Sequence, residues 1–149
     1  MEISFKRGER EMDKNKIVEI LNKALAEEIT ALLQYIQHHY LYKGSNAQSV
    51  RELFKKLSFT EMDHAYKLGE RIAALGGMPT TKPDPLKVPK KSIEMIKVNL
   101  QDERDAIGNF RKWIKVVDGE GDYTSRNMLE DILADEEEHV AELEALFGD

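Results

Sequence analysis

Six residues of this chain have the types and spacing to bind metal and do redox chemistry. Glu61-Met62-Asp63-His64 and Glu136-Glu137-Glu138-His139 are two copies of Glu-x-x-His. A lone glutamate lies 33 positions upstream of each, Glu28 before Glu61 and Glu103 before Glu136. On a helix, residues i and i+3 share a face, so each pair offers a carboxylate and an imidazole to one point in space. Four carboxylates and two imidazoles converging inside a bundle form the ligand set of a two-iron or two-manganese site. Zinc also accepts such mixed oxygen and nitrogen donors. Geometry suggests the roles. Glu28 and Glu103 would be terminal ligands, Glu61 and Glu136 would bridge, and His64 and His139 would each bind one ion through a ring nitrogen. Two bridged ions about 3.5–4 Å apart suit two-electron chemistry on dioxygen or peroxide.

The elements that must position these residues are helical. All four prolines fall within residues 79–89, and the other breaks are Gly44 and Gly119-Glu120-Gly121. This punctuation leaves helical segments over about 13–43, 46–75, 92–118 and 122–147. Steps of three and four residues run through each: Ile17, Leu21, Ala24, Glu28, Ala31 and Tyr35; Phe54, Leu57, Glu61, His64 and Leu68; Ile93, Ile96, Leu100, Glu103, Ile107 and Phe110; Leu129, Ile132, Glu136, His139 and Leu143. All six candidate ligands therefore occupy positions where a helix presents leucine to a core. Ser45 with Gln48 reads as a capping box and Ser92 as a cap for the third helix, while Gly44 and Gly76 suit helix ends.

Short turns make the first and second helices antiparallel, and likewise the third and fourth. The connection 76–91 can stretch about 45 Å, the length of a long helix, so the second and third helices run parallel. The predicted fold is an all-α four-helix bundle of two antiparallel hairpins joined by a long crossover. It forms one domain over 1–149, with 1–12 as an N-terminal extension.

A charged, unpaired glutamate on a core stripe costs several kcal/mol. Four would consume much of a domain's net stability of about 5–15 kcal/mol. No basic residue shares their level on the stripes, so two divalent cations are the natural compensation.

Composition narrows the function classes. Charged residues make up 34% and hydrophobic ones 41%, which fits a globular protein. No apolar run reaches the roughly 18 residues needed to span a bilayer, and Met1–Lys16 lacks the apolar core of a secretory signal. A cytoplasmic home is expected. The chain has no cysteine, which excludes disulfides, thiolate metal sites and cysteine catalysis. A net charge of −6 argues against general nucleic-acid binding.

At these residues the sequence resembles the bacterioferritin family of the ferritin-like superfamily. The resemblance is carried by Leu21–Tyr35 with Glu28, by Glu61–Ile72, and by Asp122-Tyr-Thr-Ser-Arg126 leading to Asp135–His139. It implies a ferritin-like bundle whose di-iron centre oxidises Fe(II) with dioxygen or hydrogen peroxide, storing or detoxifying iron within a homo-oligomer. Two features differ from the family pattern. The chain ends ten residues after His139, so no fifth helix is expected, which leaves a dimer or other small oligomer beside a cage. Lys56 and Thr60 stand where some members carry a histidine and an aspartate for an additional iron. Met62 matches the methionine that holds haem b between two subunits of family members, yet the preferred reading is an ordinary packing methionine.

Tyr35, two helical turns beyond Glu28, fits an electron donor, a hydrogen-bond partner of a ligand carboxylate, or a core tyrosine. His38 reads as a polar helix-end residue, and Trp113 and Tyr123 as packing or interface residues. Two other functions fit the same ligands: a peroxide- or oxygen-reducing di-iron or di-manganese oxidase without mineral, and a bundle that binds metal without redox change.

Overall fold

Apolar residues recurring at helical steps, with every proline confined to 79–89, leave long helices as the regular structure open to this chain. The computed structural model describes residues 11–147, so residues 1–10 of the expected N-terminal extension lie outside it. Among the described residues there are four helices and no strand: α1 (Lys14–Leu41), α2 (Ala47–Ala74), α3 (Ser92–Gly119) and α4 (Tyr123–Glu144). Each boundary falls within about three residues of its expected place.

Helix α1 packs on α2 and α3, and α4 packs on α3 and α2. The α1–α2 turn reverses the chain at Gly44, and the α3–α4 turn at Gly121, with φ of 134° and 77° that side chains rarely adopt. Arg51 ties the first turn down, its guanidinium donating to the carbonyls of His39 and Tyr40 at 2.8 and 2.9 Å.

The crossover runs alongside α1 in the direction of α1. Asn22 donates to the Met78 carbonyl, Thr30 Oγ1 accepts from Asp84 N, and Gln34 Oε1 accepts from Lys87 N, at 3.0, 2.8 and 2.9 Å. Lys43 N then bonds Ser92 Oγ at 2.9 Å, bringing the start of α3 to the end of α1. Helices α2 and α3 therefore start at the same end of the bundle and run parallel.

Caps differ in part from expectation. Asp13 and Asp122 cap α1 and α4, accepting from Lys16 N and Ser125 N at 3.1 Å each. The cap position of α2 is Asn46, without a side-chain cap bond, so Ser45 and Gln48 form no capping box. Ser92 is the first residue of α3, and its hydroxyl is taken up by Lys43. Ile93, on the expected inward stripe, is 44% exposed in that first turn.

Two apolar clusters fill the interior. One gathers Ile17, Leu21, Leu68, Ile72, Phe110 and Leu129 around the beginning of α1, with Trp113 packed edge-on to Phe110 at 5.4 Å. The other gathers Tyr35, Val50, Phe54, Leu57, Ile96 and Leu143 around its end. The six candidate ligands lie along the sequence between the residues of these two clusters, at the middle of each helix.

Candidate metal centre

Each helix brings its ligands inward because they continue the stripe that supplies the apolar clusters. Glu28, Glu61, His64, Glu103, Glu136 and His139 are all buried, none more than 4% exposed. Their donor atoms form two groups, each close enough to share one ion: Glu28, Glu61, His64 and Glu136, and Glu61, Glu103, Glu136 and His139. Glu61 and Glu136 belong to both.

The contacts converge on one nitrogen of each imidazole. His64 Nδ1 lies 3.2, 3.5 and 3.8 Å from oxygens of Glu136, Glu28 and Glu61. His139 Nδ1 lies 3.1, 3.3 and 3.6 Å from oxygens of Glu61, Glu103 and Glu136. The two rings face each other at 24°, with centroids 6.4 Å apart.

Most of these donors are close to one another without being hydrogen-bonded. Glu28 Oε2, both oxygens of Glu61, His64 Nδ1, Glu103 Oε2 and Glu136 Oε1 are buried and have no hydrogen-bond partner. Buried polar atoms are ordinarily satisfied. A cluster of orphaned carboxylate and imidazole donors, all facing a common interior, is what a pair of cations would complete, so the residues present fit a metal pair.

Without a cation the cluster holds protons instead. Burial disfavours a charged His64, but the carboxylates of Glu136 and Glu61 outweigh it and push the imidazole up to about 10. Burial also opposes the charge on His139, and Glu103, Glu136 and Glu61 lift it to about 12. Burial, reinforced by Glu136, raises Glu103. Cations entering the cluster would displace these protons.

Tyr35 is 2% exposed, and its hydroxyl donates to Glu103 Oε1 at 2.7 Å. Its hydroxyl thus bonds a carboxylate of the cluster while its ring packs in the second apolar cluster. Burial and the neighbouring Glu103 keep its phenol well above the usual tyrosine range, so it remains a donor. His38 is buried outside the cluster. Its Nε2–H donates to the Lys87 carbonyl at 2.8 Å and its Nδ1 accepts from Asn99 at 2.9 Å, which ties the crossover to α1 and α3. Met62 lies off the ligand stripe and is 38% exposed.

Two side chains that spacing does not single out also lie at the site, Asp135 against His64 and Glu27 on the wall of the adjoining cavity. Asp135 Oδ2 accepts from His64 Nε2 at 2.7 Å. Glu27 accepts from Asn109 Nδ2 at 2.6 Å while its Oε2 stays buried and unpartnered, and burial lifts this carboxyl to about 7. Each is adjacent to a ligand in the chain and reads as an ordinary acid of a helix face. Only the docking of α2 on α4, and of α1 on α3, gives them their partners.

A cavity of about 540 Å³ reaches the centre between α1 and α3. Glu28, Glu61, Glu103 and Glu136 lie at its buried end, and the exposed crossover residues 84–87 lie at its outer end.

Comparison with known proteins agrees with this arrangement. The ferritin-like domain family matches residues 18–149. A bacterioferritin of Desulfovibrio desulfuricans is 34% identical over 89% of this chain and 75% of its own length. Among solved structures, a ferritin-like diiron-carboxylate protein from Bacillus anthracis superposes with a TM-score of 0.86 at 31% identity, covering 90% of this chain and 96% of that one. The bacterioferritin of Rhodobacter capsulatus, whose structure holds a metal-free dinuclear site and a haem iron, superposes with a TM-score of 0.81 at 34% identity over 91% and 85%. With its helix order, its buried carboxylate–histidine cluster and these matches in accord, the chain belongs to the ferritin-like family.

Proposed function

We propose that this protein is a ferroxidase of the iron-storage type, taking Fe(II) as substrate and dioxygen or hydrogen peroxide as oxidant. The observation that carries the reading is the set of buried, unpartnered donors on Glu28, Glu61, His64, Glu103 and Glu136. Two Fe(II) per chain would be held there, Glu28 and Glu103 as terminal ligands, Glu61 and Glu136 as bridges, and His64 and His139 one to each ion. The bridging role is supported by the presence of Glu61 and Glu136 in both four-residue groups. Two Fe(II) supply two electrons to the oxidant and become two Fe(III), so the paired site matches the stoichiometry of reducing one dioxygen to peroxide, or one peroxide to water.

The chain's own residues have defined tasks in this reaction. The four carboxylates draw a cation inward and balance its charge where water is excluded. Tyr35 holds Glu103 in orientation by its hydroxyl. The cavity between α1 and α3 gives a small oxidant a route to the buried end. Manganese or zinc would suit the same donors.

The assembly we propose is a homo-oligomer, a dimer at least. Phe59, Met62 and Tyr66, spaced along one side of α2, are 55, 38 and 63% exposed, an apolar strip that a second copy would cover. A haem shared between two copies would take Met62 as its ligand, and a Soret band on adding haemin, absent in Met62→Ala, would establish it. Among the described residues no helix is long and apolar enough to cross a membrane, and a cytoplasmic location suits this chemistry.

Anaerobic titration with Fe(II), followed by admission of oxygen or peroxide and sizing of the product, tests the function. Two Fe(II) per chain, rapid ferric absorbance and an iron load far above two per chain are expected. Oxidation of two Fe(II) without further loading would replace storage by a peroxide- or oxygen-reducing role. Absence of stoichiometric binding would overturn the metal centre.

A further inference from the structure

We propose that Asp135 is a positioning residue that makes the two metal positions unequal, the position served by His64 holding its ion more tightly than that served by His139. The inference rests on the reading that these six residues hold two ions.

The two imidazoles present the same nitrogen to the cluster but differ at the other. His64 Nε2 lies 2.7 Å from Asp135 Oδ2, across the contact between α2 and α4. With Asp135 Oδ2 as the acceptor there, His64 keeps its proton on Nε2 and directs Nδ1 at Glu28, Glu61 and Glu136. A carboxylate behind an imidazole fixes the ring and makes the inward nitrogen a stronger donor, an effect worth about 10- to 100-fold in metal affinity. His139 lacks this support. Its Nδ1 faces Glu61 and Glu103, and its Nε2 has no hydrogen-bond partner among the described residues.

A second contact biases the pair in the same direction. Tyr35 donates a hydrogen bond to Glu103, the terminal carboxylate at the His139 position, and so draws electron density away from that ligand. Glu28, the terminal carboxylate at the His64 position, keeps a buried oxygen with no donor on it. One position thus combines a strengthened imidazole with an unengaged carboxylate. The other combines an unsupported imidazole with a carboxylate already accepting a bond. Asp135 itself is 44% exposed at its side chain, so it can be replaced without opening the core.

The test is anaerobic titration with Co(II), read by its ligand-field absorption, on the wild type, Asp135→Asn and Asp135→Leu, with thermal melts of each metal-free protein. The wild type is expected to take two Co(II) in two distinguishable steps. Asp135→Leu should weaken one step by about 10- to 100-fold and leave the other nearly unchanged. Asp135→Asn, whose amide oxygen still accepts from Nε2–H without a full charge, should fall between. In a His64→Ala background Asp135→Leu should have no further effect, whereas in His139→Ala it should weaken the remaining step. Equal weakening of both steps in parallel with a lowered melting temperature would make Asp135 merely structural and overturn the proposal. So would an unchanged isotherm in a protein that binds two Co(II). A wild type that binds fewer than two would overturn the two-ion reading first, and this inference with it.

Discussion

Each buried carboxylate of the centre is a liability to the metal-free protein and an asset to the loaded one. Glu61 illustrates the opposition, because both its oxygens are buried without a hydrogen-bond partner and it belongs to both ligand groups. Replacing it by glutamine removes a buried charge but keeps the shape. Glu61→Gln should therefore change the stability of the metal-free protein little, the relieved burial being offset by the lost pairing with His64 and His139. The same variant should lose the stabilisation that added metal confers on the wild type. Calorimetry with and without Co(II) checks both halves, and a variant still stabilised like the wild type would deny Glu61 its place. His38 supports a pH prediction. Burial lowers its imidazole below the ordinary 6.5, and its neutral form is engaged on both nitrogens. A base whose folded value is depressed contributes stability above the unfolded value and loses it as pH falls through the folded one. Denaturant titrations should thus show the wild type losing more stability between neutral and mildly acidic pH than His38→Gln does. An equal loss would mean that His38 does not titrate with unfolding.

At the scale of elements, the bundle depends on its caps and on the side chains that pin the crossover. Asp122 caps α4 and also accepts from Arg71 Nη2 at 2.7 Å, and it is 3% exposed. Asp122→Ala removes the cap, worth about 1 kcal/mol, and strands a partly buried guanidinium, so a loss of about 2–4 kcal/mol is expected by denaturant unfolding. Ser45→Ala, at a position with no cap bond, should change stability by less than about 0.5 kcal/mol. The contrast between these two serves as its own control. Gln34 does for the crossover what Asp122 does for α4. It donates to Asn99 and Asp102 at 3.0 and 2.8 Å and accepts from Lys87 N, so Gln34→Ala should cost about 2–4 kcal/mol. The helices themselves could be read from the chain because their signals are local: prolines confined to one stretch, and apolar steps of three and four. The caps of α2 and α3 could not. Whether Ser45 or Asn46 becomes the cap, and whether the Ser92 hydroxyl serves α3 or Lys43, depends on how the α1–α2 turn meets the start of α3.

For the whole molecule, the candidate ligands sit between two apolar clusters, so the two ions proposed there would join what are otherwise separate cores. A ligand that binds only the folded chain stabilises it by about 2.7 kcal/mol per site at a hundred times its Kd. Saturating Co(II) should therefore raise the melting temperature by several degrees, and a chelator should reverse it. No shift at saturation would mean that the cluster is not the binding site. The sequence by itself determined the helices, their antiparallel pairing and the six inward donors, because each follows from the spacing of residues along one helix or from the reach of a linker. Only the tertiary structure decided that Tyr35 bonds Glu103, that His38 and Gln34 hold the crossover, and that Asp135 stands behind His64. Those relations join residues on different helices, and the rotation and axial offset of one helix against another are set by the packing of all four.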